Sequence, residues 1–578
     1  MRIINRPYEP EQSKFSDDVS PFLQKIFQSR GLFSDSDLNL NLTQLPSPDK
    51  LLGLDTAVGQ LVDALEMQKK ILIVGDFDAD GATSSALMML ALRAMGFESV
   101  DFLVPNRFDY GYGLTPEIVE LAQQKTPDII ITVDNGISSV DGVACANKLG
   151  IKVIITDHHL PGKVLPDAAA IINPNQPDCE FPCKNLAGVA VAFYLLSALR
   201  AKLRTNQWFE KNSLPVPNMA NYLDLVALGT VADVVPLDQV NRVLVNQGLL
   251  RIRSGLARPG ILALLRIAGK DHSRIVASDM GFAVGPRLNA AGRLDDISRG
   301  IQCLLTDDPA QALELAQELE QLNQDRKAIE QGMQQEALKI VDDLPLDGQQ
   351  ELPAALCLYQ ADWHQGVVGL LASRIKEKFH RPVAVFANDK EGILKGSVRS
   401  IPGLHIRDAL DAVATQNPGL ITKFGGHAMA AGLSLEKSSL KAFEQALQQQ
   451  VMDTIEPDDL EATLKTDGEL AACLMTKQSA ETIRDAGPWG QSFPEPSFQG
   501  IFTLKSQRIV GERHLKVVLA PVDDESQQLD GIYFNIDIDQ WPTSITTVLC
   551  VYRLDINEFR GRETLQLLIQ YMAPVSKS

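Results

Sequence analysis

Features that define secreted, disulfide-bonded or zinc-stabilised proteins are scarce in this sequence. Its 578 residues include seven cysteines, and only Cys179 and Cys183 are close in sequence. No second cysteine or histidine pair at zinc-binding spacing accompanies them, so neither a zinc site nor a disulfide framework is expected. The N-terminal segment, with Arg2 and Arg6 among its first residues, lacks the uninterrupted apolar core of a signal peptide. We therefore expect a protein of the reducing cytoplasm.

Long apolar runs and an excess of basic residues are also missing. The longest uncharged apolar stretch, 185–199, is shorter than the roughly 20 residues that span a bilayer, and it predicts a buried helix. A net charge of −19 argues against a general nucleic-acid coat, because phosphate-binding surfaces are usually basic. It does not exclude a narrow channel with local Arg and Lys, or metal ions that supply positive charge. A Gly-x-x-x-x-Gly-Lys-Ser/Thr loop is absent, which disfavours a helicase or another ATPase.

The chain is too long for a single core, so several domains are expected. Residues 1–50 are polar and predict an N-terminal extension with one helix near 21–29. From residue 70 short apolar runs alternate with helical stretches, which indicates βαβ units and a parallel sheet in a domain spanning 51–305. The predicted strands are 71–74, 101–104, 129–133, 152–156 and 170–172, and the helices predicted between them lie near 83–95, 116–124 and 140–149.

The remaining sequence predicts three further parts. Residues 306–345 are rich in Glu, Gln, Leu and Ala, and their helical periodicity predicts one long connecting helix. Residues 346–455 predict a second α/β domain. Short β-rich runs within 456–578 predict a small all-β barrel, so the fold class as a whole is α/β with a C-terminal barrel; the runs are 498–504, 515–519, 531–534, 546–552 and 565–569.

An acidic cluster follows the first predicted strand. Asp76, Asp78 and Asp80 occupy alternate positions between that strand and Gly81. In open α/β sheets, ligands bind at the carboxyl ends of strands, where these residues fall. Three neighbouring carboxylates repel one another unless a cation neutralises them. A helix N-cap would explain one Asp but not three.

Two familiar motifs resemble this cluster, but the sequence does not match either of them. In an EF-hand loop, position 12 is a bidentate Glu, whereas this sequence has Leu87 there, and a strand precedes the loop where a helix is required. Phosphoaspartate phosphatases are expected to have Thr after the Asp-x-Asp-Gly string, and this sequence has Ala82.

The next predicted strand ends carry compatible residues. Asp134 follows the strand 129–133, and Asp157, His158 and His159 follow the strand 152–156. Asp233 lies in an apolar setting, where an uncompensated charge would be costly. Oxygen-rich ligation with one or two imidazoles suits Mn²⁺ or Mg²⁺. So many ligands fit two ions about 3.5–4 Å apart, the arrangement that stabilises the attacking and leaving oxygens at phosphorus. The sequence therefore predicts a two-metal phosphoesterase.

These motifs together resemble the DHH phosphoesterase family and, more closely, its RecJ branch of bacterial single-stranded-DNA-specific exonucleases. The site motifs are Gly-Asp-Phe-Asp-Ala-Asp-Gly (75–81), Val-Asp-Asn-Gly (133–136), Asp-His-His (157–159) and Val-Ala-Asp (231–233). Further matches are Val-Pro-Asn-Arg (104–107), Gly-Pro-Arg-Leu-Asn-Ala-Ala-Gly-Arg (285–293), Trp-His-Gln-Gly (363–366), Gly-Ser-Val-Arg (396–399) and Gly-Gly-His-Ala-Met-Ala-Ala-Gly (425–432). The resemblance covers residue 50 to the C-terminus. It implies a DHH catalytic domain, a DHHA1 domain and a C-terminal oligonucleotide-binding (OB) barrel.

The resemblance also implies roles for the site residues. The implied metal ligands are Asp78, Asp80, Asp134, His158 and Asp233. Asp134 would bridge the two ions, and Asp76 would complete or orient the ligand set. His159 would contact the scissile phosphate, and Asp157 would hold the His pair in place.

The implied activity is processive 5′→3′ hydrolysis of single-stranded DNA to 5′-mononucleotides with Mn²⁺ or Mg²⁺. Arg107, Ser397 and Arg399 would hold the DNA 5′-phosphate, since a guanidinium matches phosphate geometry. Arg287 and His427 would contact the DNA backbone.

The family also implies a monomer without membrane association that works in recombination and repair with a single-strand-binding protein and a RecQ-type helicase. Two alternatives remain open. One is a DHH phosphodiesterase for short oligoribonucleotides, cyclic dinucleotides or pyrophosphate, although such chains are typically shorter and lack the barrel. The other is a non-catalytic single-strand-binding or replication-scaffold protein, which predicts eroded metal ligands.

Overall fold

The computed structural model of the chain divides into two compact units. The larger consists of residues 4–319 and 465–578, and the smaller of residues 1–3 and 320–464. The structure describes residues 1–105, 110, 112–343, 352–390, 392–511, 513–536, 541–542, 545–559 and 561–575. Among these residues, no helix combines the length and the apolar composition that crossing a bilayer requires.

The secondary structure alternates between the two types along most of the chain. The strands are β1 (Arg2–Asn5), β2 (Ile71–Gly75), β3 (Val100–Leu103), β4 (Ile129–Val133), β5 (Lys152–Thr156), β6 (Ala170–Ile172), β7 (Leu356–Tyr359), β8 (Val383–Asn388), β9 (Ile393–Arg399), β10 (Lys423–Gly426), β11 (Ala430–Glu436), β12 (Thr463–Thr466), β13 (Phe498–Val510), β14 (His514–Pro521), β15 (Leu529–Tyr533), β16 (Thr547–Phe559) and β17 (Arg562–Pro574). The longer helices are α1 (Pro21–Gln28), α2 (Leu54–Glu66), α3 (Ala79–Ala94), α4 (Pro116–Gln123), α5 (Val140–Lys148), α6 (Gly188–Thr205), α7 (Leu223–Ala232), α8 (Gln239–Arg253), α9 (Pro259–Ile267), α10 (Gly285–Leu294), α11 (Ser298–Leu305), α12 (Pro309–Asp342), α13 (Val368–Phe379), α14 (Ile406–Gln416), α15 (Leu440–Thr454) and α16 (Lys477–Asp485).

A five-stranded parallel sheet forms the centre of the catalytic part of the larger unit. Its strand order is β3-β2-β4-β5-β6. Every residue of β2 and β4 is buried, because helices cover both faces of a parallel sheet and the strands consist of branched aliphatic residues. On one face, Leu72, Ile130 and Val153 pack against apolar residues of α4 and α5. The predicted parallel sheet is confirmed.

Helices α6 to α11 complete this part of the larger unit. The stretch predicted as a buried helix forms α6, whose residues from Gly188 to Leu196 are all buried. Helix α3 packs against both α6 and α7. Because α3 follows β2 directly, this packing brings the amino end of α6 and the carboxyl end of α7 to the edge of the sheet where β2 ends.

The C-terminal part of the larger unit is a closed five-stranded barrel. Its strand order is β13-β14-β15-β17-β16, with only the β15–β17 pair parallel among the described strands. Its core contains Phe502, Leu519, Tyr552 and Leu567. The predicted barrel is confirmed.

The N-terminal residues pack against the barrel. Ile26 of α1 belongs to the barrel core, and the ring of Phe22 stacks on that of Phe498 at 6.1 Å between centroids. The buried guanidinium of Arg30 donates to both carboxylate oxygens of Asp467, at 2.7 and 3.1 Å. Within the segment predicted as an N-terminal extension, α1 therefore contributes Ile26 to the core of the barrel.

The smaller unit contains a five-stranded mixed sheet of order β10-β11-β9-β8-β7. Its apolar core includes Phe386, Leu410 and Phe443. The second predicted α/β domain is thus confirmed as to its fold class. The long predicted helix is present as α12, and the division between the two units falls within it.

Candidate metal centre

The sequence-predicted acidic and histidine residues meet at one edge of the parallel sheet. Strands β2, β4 and β5 are neighbours and point the same way, so their carboxyl ends lie side by side. Asp76 follows β2, Asp134 follows β4, and Asp157 follows β5. Asp233 comes from the carboxyl end of α7. The structure therefore brings the predicted carboxylates and the His pair together.

Two carboxylates of the cluster are fixed by helix N-termini. Asp78 is the N-cap of α3, and its side chain accepts the backbone N–H groups of Asp80 and Gly81, both at 3.0 Å. The sequence predicted a later start for α3, at residue 83. Asp80 is 1% exposed and accepts the N–H groups of Gly188 (2.6 Å) and Val189 (3.0 Å) at the start of α6. These backbone donors at helix N-termini fix the position of both carboxylates at the edge of the sheet.

Asp134 stands at the centre of the cluster in an unusual backbone conformation. Its φ is +62°, in the left-handed region that few non-glycine residues adopt. A Cβ at Gly188 would lie 2.6 Å from the Asp134 Oδ1 atom, so only glycine allows α6 to approach this carboxylate. Such strain at a buried charged residue is typical of functional sites.

The two histidines have different partners. The Nε2 atom of His158 lies 3.1 Å from Oδ1 of Asp134 and 3.5 Å from Oδ2 of Asp233. The Nδ1 atom of His159 lies 2.8 Å from Oδ1 of Asp157. Asp157 also accepts the backbone N–H groups of His158 and His159, at 2.7 and 3.0 Å. Asp157 therefore holds the turn that carries both imidazoles.

The carboxylates facing His158 have raised pKa values. Burial and the charge of Asp233 raise the pKa of Asp80 to about 7. Burial and the charge of Asp78 raise the pKa of Asp233 to about 7, and burial with the charge of Asp80 raises the pKa of Asp134. Crowded anions of this kind are expected to gain a cation, which would restore the charged form of each group.

The histidine pKa values shift in opposite directions. Burial and the neighbouring His159 lower the pKa of His158, which favours the neutral imidazole that ligates metals. Burial opposes charge on His159, but its hydrogen bond to Asp157 and the charge of that residue raise its pKa to about 9. His159 is therefore the cationic member of the pair at neutral pH.

The donor set fits divalent cations. Three groups have ligand atoms within 4.8 Å of one another: Asp80–His158–Asp233, Asp76–Asp78–Asp134 and Asp134–His158–His159. Oδ1 of Asp134, Nε2 of His158 and Oδ2 of Asp233 are buried atoms without a hydrogen-bond partner, although they lie close together. Buried polar atoms are rarely left without a partner, so a shared cation explains all three. Carboxylate oxygens with one imidazole suit Mn²⁺ or Mg²⁺.

Sequence reasoning missed Tyr112. Its hydroxyl lies 3.2 Å from Nε2 and 3.3 Å from Nδ1 of His159, and 3.4 Å from the backbone oxygen of Asp134. Its ring also meets that of Phe77 edge to face, with 6.0 Å between centroids. In the sequence Tyr112 stands between two glycines, a setting typical of an exposed turn, and that was the only available signal.

The predicted DNA contacts lie in different parts of the molecule. Arg287 is buried in α10 of the larger unit, where its guanidinium donates to the carbonyl of Ala283. Ser397 and Arg399 lie together on β9 of the smaller unit, with Nη1 of Arg399 donating to Oγ of Ser397 at 2.7 Å. His427 is exposed in the turn between β10 and β11. Arg107 lies outside the described residues.

Family models match three parts of the chain. They are the DHH family, N-terminal domain, over residues 70–230, the DHHA1 domain over 352–453, and the RecJ OB domain over 466–571. The "Single-stranded-DNA-specific exonuclease RecJ" of Salmonella typhimurium (strain LT2) is 54% identical over 575 residues, which cover 99% of each chain.

Solved structures agree with this match. RecJ from Thermus thermophilus in complex with Mn²⁺ has a TM-score of 0.80 and 29% identity, covering all of this chain and 80% of that one. The Mg²⁺ complex of the same protein has a TM-score of 0.75 and 27% identity, covering all of this chain and 78% of that one. The chain therefore belongs to the DHH family and, within it, to the RecJ single-stranded-DNA-specific exonucleases.

Proposed function

We propose that this protein hydrolyses single-stranded DNA from its 5′ end to 5′-mononucleotides, using two divalent metal ions. The observation that carries the proposal is the cluster at the carboxyl edge of the parallel sheet, where three ligand groups overlap at Asp134 and His158. Overlapping groups suit two adjacent ions better than one, because a single catalytic ion needs open positions for substrate.

The geometry suggests how the ligands divide. Asp80, His158 and Asp233 would hold one ion, while Asp76 and Asp78 would hold the other. Asp134 belongs to one group with Asp76 and to another with His158, which fits a bridging carboxylate. When bound, such ions neutralise the phosphate charge and activate a water nucleophile.

Two further residues act beside the metal ligands. His159, whose pKa is raised to about 9, would present a cationic N–H to the scissile phosphate. Asp157 keeps His159 in that form and orientation through its 2.8 Å contact with Nδ1. Asp157 remains ionised during the reaction, because the hydrogen bond from His159 lowers the pKa of Asp157 despite its burial.

The polarity of degradation rests on a 5′-phosphate site. Ser397 and Arg399 present a hydroxyl and a guanidinium on one strand, a pair that matches a terminal phosphate, and Arg107 would add a second guanidinium. The pairing of Gly432 with Ser397 and of Ala430 with Arg399 brings the turn that carries His427 into the same sheet. Arg287 and His427 would contact the DNA backbone.

The biological setting follows from the family. We infer a cytoplasmic monomer that takes part in DNA recombination and repair. By analogy with the family, a single-strand-binding protein and a RecQ-type helicase would supply the single strand. The Salmonella and Thermus relatives are named as single-stranded-DNA-specific exonuclease and RecJ, respectively, which supports the choice of substrate.

The decisive assay uses oligonucleotides labelled at either end, single- or double-stranded, with Mn²⁺ or with EDTA. We expect a 5′ label to be released as a mononucleotide from single strands at the earliest times, and no release in EDTA. Release that begins at the 3′ end, or activity that survives EDTA, would contradict the proposal.

The bridging role of Asp134 has a separate test. Asp134→Ala should abolish cleavage while binding of single-stranded DNA persists, because the barrel and the 5′-phosphate residues are unchanged. Asp325→Ala is the matched control, since Asp325 is an exposed carboxylate on α12. Turnover by Asp134→Ala equal to that of the control would rule out the bridging role.

The 5′-phosphate site is tested by comparing substrates with and without that phosphate. The parent enzyme should prefer a 5′-phosphorylated strand, and Arg399→Ala should lose the preference by raising KM for that strand alone. Lys441→Ala removes an exposed cation of the same unit and should keep the preference. An unchanged preference in Arg399→Ala would refute the assignment.

A further inference from the structure

Helix α10 contacts the acidic loop 76–80 at two points. The Oδ1 atom of Asn289 accepts the backbone N–H of Ala79 at 2.7 Å. One turn further along, a Cβ at Gly292 would lie 1.8 Å from the carbonyl oxygen of Phe77. Residues three apart share one face of a helix. One face of α10 therefore holds the residue before Asp78 and the residue after it.

The first turn of α3 shows why the bond from Ala79 matters. The first N–H groups of a helix have no partner within the helix. Those of Asp80 and Gly81 are satisfied by the Asp78 side chain, both at 3.0 Å. Ala79 is 1% exposed, so its N–H is shielded from water and depends on Asn289. Removing the Asn289 oxygen leaves a buried donor unsatisfied between two proposed metal ligands.

The helical turn that precedes α10 contacts the other ligand-bearing segment. This turn, Met280–Val284, lies against the end of α7. A Cβ at Gly281 would lie 3.4 Å from the Val231 side chain, and one at Gly285 would lie 3.2 Å from Cβ of Ala232. Val231 and Ala232 directly precede Asp233 in the chain. The continuous helical segment 280–294 thus contacts two of the segments that carry carboxylates of the cluster, the loop 76–80 and the end of α7.

We propose that Asn289 is a positioning residue that fixes Asp78 relative to Asp233 and thereby sets the affinity of the centre for its metal ions. The segment 280–294 acts as a spacer between two ligand-bearing segments that are far apart in sequence. The inference rests on the proposed function only in that Asp78 and Asp233 bind the ions. It requires no assumption about DNA, because the contacts described involve the protein alone.

The test measures Mn²⁺ binding directly by isothermal titration calorimetry of the full chain without DNA. Asn289→Leu is nearly isosteric but lacks the acceptor, and we expect its Mn²⁺ affinity to fall by about tenfold, as for residues that support metal ligands. Asn289→Asp keeps an acceptor oxygen for the N–H of Ala79, so its Mn²⁺ affinity should stay within about threefold of that of the parent protein. Saturating Mn²⁺ should recover part of the kcat of Asn289→Leu, with KM for DNA unchanged.

A control variant distinguishes the positioning of the metal ligands from the general effect of removing an Asn side chain that accepts a backbone N–H. Asn218 accepts the N–H of Ala220 at 3.1 Å at an exposed turn elsewhere in the catalytic region, so Asn218→Leu removes an Asn-to-backbone bond away from the metal centre and should leave Mn²⁺ affinity unchanged. Equal Mn²⁺ affinity in Asn289→Leu and the parent, or equal losses in Asn289→Leu and Asn289→Asp, would overturn the inference. Intact Mn²⁺ binding without DNA hydrolysis by the parent protein would overturn the proposed function and leave this inference standing.

Discussion

A glycine inside α7 offers a sharp test of how closely the metal centre is packed. Gly229 is buried, and a Cβ there would lie 2.4 Å from Oγ1 of Thr83 and 2.7 Å from Oδ1 of Asp80. Ordinary contacts begin near 3.4 Å, so Gly229→Ala must push the Asp80 carboxylate away by about 0.7 Å. The carbonyl of Gly229 also accepts the N–H of Asp233 at 2.9 Å, so a shift of α7 would move a second carboxylate.

The magnitude follows from two opposing effects. In a helix interior, Ala is favoured over Gly by about 1 kcal/mol of helix stability. Overpacking a buried site costs about 1–3 kcal/mol of folding free energy, so the net loss should be roughly 0–2 kcal/mol and the variant should fold. Misplacing a reacting group by about 1 Å can cost about a hundredfold in rate. We therefore expect Gly229→Ala to lose roughly 30- to 100-fold in rate with little loss of stability.

The assay compares Gly229→Ala with Gly59→Ala. Gly59 lies inside α2, and a Cβ there would have nothing within 4 Å, so the control keeps the helix gain without the collision. Initial rates of nucleotide release from single-stranded DNA are measured at saturating Mn²⁺, and urea denaturation gives the free energy of unfolding. A rate for Gly229→Ala within twofold of that for Gly59→Ala would refute the packing argument.

Two further predictions concern the buried ion pairs. Asp467→Asn leaves Arg30 with a buried, uncompensated charge and should cost about 3–5 kcal/mol of unfolding free energy in urea titrations. Burial opposes charge on Asp467, but the hydrogen bond from Arg30 lowers its pKa in the folded protein. The stabilisation from this ion pair is therefore complete above the pKa of Asp467 in the unfolded chain, about 4, and is lost as the pH falls through the lower pKa of the folded protein. Below about pH 4 the difference between the variant and the parent should therefore shrink, and a constant difference would contradict this. Asp157→Asn removes the partner that raises the pKa of His159 to about 9, so His159 should lose its proton between pH 6 and pH 8 in the variant. The activity of the variant relative to the parent should therefore fall over that pH range, and a constant ratio of the two activities would contradict the proposed role of His159.

The sheet and its edge were largely predictable, because they depend on local patterns. Branched aliphatic runs such as 129–133 indicate strands that are buried on both faces, and the structure places β4 at Ile129–Val133. The barrel strands were harder to delimit. The sequence predicts a strand over 498–504, whereas β13 continues to Val510. The second half of β13 lacks an apolar pattern because it is largely exposed, and only its pairing with β14 defines it as a strand.

The site was predicted as a set of residue types but not as an arrangement. Three alternating carboxylates indicate a cation, but the pattern does not show which of them caps a helix, so the sequence predicts a helix only from residue 83 whereas Asp78 is the N-cap of α3. Tyr112 and Asn289 could not be found in this way. Each acts through a contact with a distant residue, and Asn289 lies 210 positions from Ala79, so no local periodicity connects them.

Because α1 packs against the C-terminal barrel, it can reach its folded environment only after most of the chain has been synthesised. Arg30 and its partner Asp467 are 437 residues apart. At about 5–20 residues per second, the ribosome makes the second roughly 20–90 s after the first. During that interval Ile26 and Phe27, both buried in the finished protein, have no core to join. The nascent chain therefore exposes the apolar face of α1 until synthesis of the barrel is almost finished.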